Sequence, residues 1–224
     1  MRHPAMSGKI ALAAGFADLS GADFASFLSE DSAAVSALFA TTNIATARQI
    51  PAAQILFLYT RFAANGALEG TPAVGVRQIA QELRSRTLVV ASPVPGDTIE
   101  NAMGFPGPKT ANLVFTLDRK GPAFAGFFCA LFERMRDGEN MLEAWIELAP
   151  QGPTETDNNP ELVLLPEGGA NRFRASPRTG VNYLPAFGGL SVAKFSKGII
   201  APARCVACRR IPQSARPRRS RPCP

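Results

Sequence analysis

The sequence predicts an α/β protein in three layers, a mainly parallel sheet with helices on both faces, and three observations predict it. Ile55 to Thr60, Thr87 to Ala91 and Asn112 to Leu117 are short runs apolar at most positions, the composition of parallel strands covered on both sides. The segment between the first two is long enough for the right-handed crossover that parallel strands require. An aromatic stripe follows the third run at helical spacing, and the apolar share of 46% is that of an ordinary globular core.

Taken in order, Lys9 to Ala14 reads as a short buried strand ended by a turn at Gly15. Phe24, Phe27, Leu28, Val35, Leu38 and Phe39 recur at three and four, which predicts one helix or two consecutive ones, with Ser29 as the cap of the second. Ile44 to Ile50 has no clear period. Past the Ile55 run, Asn65-Gly66 marks a turn, and Thr71-Pro72 reads as the start of a helix with Val76, Ile79, Ala80 and Leu83 inward. Arg77, Glu82, Arg84 and Arg86 are expected to point to water.

Pro93 and Pro95 remove backbone donors, so Ser92 to Asp97 is expected to form neither helix nor ladder, and Asp97 or Thr98 to cap a short helix ending at Gly104 and Pro106. The strongest helical pattern is Phe124, Phe127, Phe128, Leu131, Phe132 and Met135, one stripe that must bury against the sheet. Asp137-Gly138 breaks it. Met141, Leu142, Trp145, Ile146 and Ala149 predict a second helix, stopped by Pro150, and Leu162 to Leu165 one edge strand.

Charge divides the chain. Residues 168–224 carry 12 of the 24 Lys and Arg residues and none of the 18 Asp and Glu, against a net charge of +6 overall. We therefore read 1–167 as the α/β domain and 168–224 as a basic Gly/Pro/Arg-rich tail, largely disordered, with Tyr183 to Phe187 able to dock on the body. Such a tail can associate with nucleic acid nonspecifically, through counterion release; without interleaved aromatics it has no means of base stacking. No apolar stretch approaches the ~20 residues of a membrane span, and Met1 to Lys9 lack the apolar run of a secretory signal, so a soluble, cytoplasmic protein without membrane partners is expected.

In an open parallel sheet, ligands bind outside the carboxyl ends of the strands. The residues to weigh there are Gly15, Asp18, Thr60, Arg61, Ser92 to Asp97 and Asp118 to Lys120. Of these, Arg61, Ser92, Asp97, Asp118 and Arg119 are the candidate ligand-binding residues: the arginines for an anion, Asp118 to orient one of them or to hold a hard cation. No catalytic residue is assigned. A nucleophilic Ser92 needs a base, and the single histidine is His3, at the terminus. Neither Gly-x-Ser-x-Gly nor a phosphate loop nor a dinucleotide fingerprint is present. Cys205 and Cys208 have the spacing of half a zinc site, but Cys223 alone follows, so no metal and no cofactor is expected. Cys129 reads as a small core residue.

The order of segments from Gln54 to Gln151 resembles the carboxyl half of CHAT domains, members of the caspase-like clan of cysteine peptidases. The residues that carry it are Ile55 to Thr60, Leu88 to Thr98, Phe127 to Gly138 and Glu143 to Gln151. The resemblance implies a histidine after one central strand and a cysteine after the next; this chain has Arg61-Phe62 and Ser92 there. It implies, then, a non-catalytic relative, an interaction or sensing module with a protein partner. Two other readings stand beside it: a small-molecule or anion-binding enzyme using the strand-end cluster, and nucleic-acid association through the tail.

Overall fold

The computed structural model describes residues 8–45, 49–69, 73–148, 159–169, 171, 173 and 193–194. Its strands are β1 (Ile10–Asp18), β2 (Phe39–Ala45), β3 (Ile55–Tyr59), β4 (Thr87–Pro93), β5 (Asn112–Asp118), β6 (Glu161–Leu165) and the two-residue β7 (Ala193–Lys194). Its helices are α1 (Ala25–Val35), α2 (Val76–Glu82), α3 (Gly96–Gly104), α4 (Ala123–Arg136) and α5 (Met141–Leu148).

All seven strands form one sheet in the order β2-β1-β3-β4-β5-β6-β7, parallel from β2 to β5 and antiparallel from β6 onward. This is the three-layer α/β architecture the sequence predicts. Because side chains alternate along a strand, the central strands feed two cores. Phe57, Tyr59, Val89, Ala91 and Val114 pack with α1, α4 and α5 on one face. Leu56, Leu58, Leu88, Val90 and Leu113 pack with α2 and α3 on the other. The chain moves outward from β1 to β2 in one direction and from β3 to β5 in the other, so the order reverses between β1 and β3.

The α4 stripe is the principal anchor. Phe124, Phe128, Leu131, Phe132 and Met135 are fully buried, each stabilising by ~1.5–3 kcal/mol. Phe57 lies at their focus, stacked on Phe16 at 4.9 Å and edge-on to Phe128 at 5.3 Å. A capping box opens α5: the Glu143 N–H donates to Asn140 Oδ1 at 2.9 Å, and the Asn140 N–H to Glu143 Oε2 at 3.4 Å. Trp145 is buried as expected, whereas Leu142 and Ile146 face solvent. Gly168, Asn171 and Phe173 also contact the body, Phe173 packing its ring against Phe39 and Phe132.

Several local expectations need correction. Gly15 does not turn the chain; it sits inside β1, where a Cβ would come within 2.8 Å of Ala53 Cβ and 3.0 Å of Pro51 Cγ. It is a close-approach glycine. Ser29 caps nothing, being internal to α1, a single helix extended by a 3-10 turn at Ser36–Leu38. Phe39 begins β2 rather than ending a helix. That strand has no apolar run because it is an edge, with Ala40, Thr41, Asn43 and Ile44 exposed.

The ladder between β4 and β5 resumes at Pro93, opposite Thr116, after an irregularity beyond Val90, a position that needs no N–H from proline. Pro95 rather than Asp97 or Thr98 is the N-cap of α3. The Thr71-Pro72 start and the Ala149-Pro150 stop lie outside the described residues. Among the described residues no helix is long and apolar enough to cross a membrane.

Phe128→Ala should lower the unfolding free energy by ~3–5 kcal/mol, read as a shift in denaturant midpoint at unchanged slope, because its cavity would open beneath Phe57 where no backbone can collapse.

Candidate functional site

The carboxyl ends of β1, β3, β4 and β5 and the loops that follow them carry the candidate residues. Asp18 closes β1 by accepting from the Ser20 N–H at 2.9 Å, the Ser20 hydroxyl at 2.6 Å and the Phe24 N–H at 3.1 Å, which sets the entry into α1. After β3, Arg61 reaches Asp23 across this turn at 2.8 Å, with both side chains about half exposed. Asn65-Gly66 then makes the expected turn, Gly66 at φ +82°, and returns the chain through a bridge between Phe62 and Leu68.

Ser92 is fully buried. Its Oγ donates to the Thr60 carbonyl at 2.6 Å and accepts from the Thr60 N–H at 3.1 Å. The backbone register of β3 with β4 ends at Leu58 and Val90, so this one hydroxyl continues the pairing where the two strands part. Thr60 is itself buried, and among the described residues its backbone N–H and carbonyl have no partner but Ser92.

Arg119 lies at the centre of a second network. One guanidinium nitrogen donates to the Ala91 carbonyl at 2.7 Å and another to Asp31 Oδ1 at 2.7 Å. The guanidinium is sandwiched between Phe27 at 4.3 Å and Phe124 at 3.9 Å. The Tyr59 hydroxyl donates to Asp31 Oδ2 at 2.6 Å, so each oxygen of this buried carboxylate has a partner. Burial first, then the Asp31 charge and hydrogen bond, raises the Tyr59 pKa far above its usual 10.0.

The remaining candidates stand at the rim. Asp118 pairs with Lys120 at 2.7 Å, which together with the Lys120 N–H lowers its pKa. Exposed Asp97 accepts from the Thr98 N–H at 2.8 Å. The structure thus brings Ser92 against the residue before Arg61, and Arg119 against the residue before Ser92, but Arg61, Asp118 and Arg119 are each engaged by a different oppositely charged residue. Arg119 in particular is turned inward and only 5% exposed, so it is not presented to an incoming anion. Among the described residues no group of three His, Cys, Asp or Glu side chains is placed to hold a metal. Burial, with Glu133 and Asp31 adding to it, raises the Cys129 pKa, the reverse of what a reactive thiol requires. His3, Cys205, Cys208, Cys223 and the Tyr183 to Phe187 segment lie outside the described residues.

Sequence reasoning passed over Asp31 and Tyr59. Asp31 had a readable signal: with Phe24, Phe27, Leu28 and Val35 it falls on the inward face of α1, a carboxylate in an apolar stripe. Arg77, assigned to solvent, needs correction on the same ground. It lies inward on α2, 6% exposed, forming a bidentate pair with Glu167 at 2.7 and 2.8 Å. Its partner is 90 residues away, which no local pattern reports.

Comparison of the chain with family models, curated proteins and solved structures finds no match in any of the three.

Asp31→Ala should destabilise by ~3–5 kcal/mol, because it leaves the Arg119 charge buried without its carboxylate, whereas Tyr59→Phe should cost ~1–2 kcal/mol; chemical denaturation of both checks the order. Alkaline stability has a definite sign. Tyr59 keeps its proton in the folded state beyond the 10.0 of the unfolded chain, so its contribution is intact below about pH 10 and declines as pH rises above it. Tyr59→Phe should flatten the loss of stability above that pH.

Proposed function

We propose that this chain is a non-catalytic, CHAT-like relative of the caspase-like clan and that it acts as a cytoplasmic interaction or sensing module through a protein partner. What supports the reading is the placement of the two diagnostic positions. The family's histidine and cysteine follow consecutive central strands; here those positions follow β3 and β4, which are neighbours in the sheet. The segments that carry the resemblance fall in the same order on β3, β4, α3, α4 and α5.

The observation that carries the non-catalytic part is Ser92. A nucleophile must reach a substrate carbon and must pass its proton to a base. The Ser92 hydroxyl directs its proton to the Thr60 carbonyl, is sealed from solvent, and has Arg61 nearby in place of an imidazole, with that arginine paired to Asp23. An arginine stays protonated at any physiological pH and accepts no proton.

The test is a hydrolysis panel of fluorogenic peptides and activated esters, with a fluorophosphonate and an epoxide probe for covalent labelling. No turnover and no label on Ser92 or Cys129 are expected; hydrolysis that disappears on Ser92→Ala while the variant remains folded would overturn the reading.

A further inference from the structure

At the opposite end of the sheet, beside the amino end of β5, Arg77 staples three segments of chain. Its guanidinium donates to the Met103 and Phe105 carbonyls at 2.7 and 2.8 Å, and its other two contacts take both oxygens of Glu167, whose side chain is 4% exposed. Gly75 and Gly107 let this frame close. A Cβ on Gly75 would collide with the Phe105 ring, and one on Gly107 would come within 2.7 Å of Arg77 Cβ. Beside this frame lies a cavity of about 330 Å³ lined chiefly by Arg77, Met103, Phe105, Pro106, Lys109 and Leu165. That volume lies near the lower bound of small-molecule sites, and the lining, mostly apolar with the two cations Arg77 and Lys109, has their usual composition.

We propose that this cavity binds a small carboxylate with a compact apolar body. The charges select the sign. Arg77 and Glu167 neutralise one another, with both carboxylate oxygens already bonded. Lys109, half exposed, is a second and longer ion-pair partner of Glu167 at 4.0 Å, so two cations share one carboxylate and a net positive charge remains beside the cavity. A carboxylate there would gain a charge-assisted hydrogen bond without displacing the Arg77 frame, while its aryl or alkyl body would cover the half-buried Met103 and Phe105. A ligand cation would meet the Lys109 charge instead. The proposal does not depend on the strand-end reading, since the cavity lies beside the start of β5 and Ser92 near the end of β4.

The probe is 4-phenylbutyrate, with the isosteric 4-phenylbutyramide as its uncharged control, titrated into the full chain and followed by amide chemical shifts. Shifts at Met103, Gly104, Gly107 and Leu165 are expected, with a Kd on the order of 1 mM for a ligand of this size and binding of the amide weaker by about threefold or more. Lys109→Met, a change at an exposed position that leaves Arg77 and Glu167 intact, should bring the carboxylate down to the affinity of the amide and leave the amide unchanged. Equal binding of acid and amide to the native chain, shifts confined to the Arg61 and Lys120 end of the sheet, or no saturable shift by about 10 mM would overturn the proposal.

Discussion

The buried ion pair of Arg119 with Asp31 is the constraint on which the carboxyl end of this sheet depends. Through it the loop after β5 is tied to α1, and through the Tyr59 hydroxyl and the Ala91 carbonyl the same pair holds the ends of β3 and β4. Charges buried this deeply stay in place only when paired and hydrogen-bonded, and of this guanidinium's nitrogens Nε alone has no hydrogen-bond partner. Here the match combines two hydrogen bonds to the guanidinium, one to the second carboxylate oxygen, and two aromatic faces over the cation. An apolar trio of similar volume would fill the space, but would not fix which helix meets which loop.

The two ends of the sheet are built by a common device. At each, a buried arginine joins backbone carbonyl oxygen from one segment, one for Arg119 and two for Arg77, to a carboxylate from another, Arg119 at the ends of the parallel strands and Arg77 at their beginnings. The planar guanidinium suits this because its donors diverge in a fixed fork, so that one side chain can satisfy several acceptors that the sheet itself leaves over. The surroundings differ. Aromatic rings close over Arg119 and seal it, while Arg77, though held close to the chain after α3, borders an open cavity.

Much of the architecture was legible in the sequence because it rests on local signals. The Ile55, Thr87 and Asn112 runs are continuous because β3, β4 and β5 are covered on both faces, and the α4 stripe is dense because that helix lies over the middle of the sheet. β2 escaped because an edge strand need bury little, and Thr41, Thr42 and Asn43 carry no apolar alternation. At the candidate site the legible part was which residues stand at strand ends. Which of them face inward was not, since Arg119 finds Asp31 across 88 residues and Ser92 finds Thr60 across 32, and no local pattern pairs residues so far apart.

Ser92 also limits how this chain can change. The hydroxyl that would have to be released to attack a substrate is the same one that keeps two central strands together at their tips. A nucleophile turned outward at Ser92 would leave the Thr60 N–H and carbonyl without the partner that now serves both. Any change that frees this side chain first removes the bonds that join the two strand tips, so the position is held by the fold before any chemistry is asked of it.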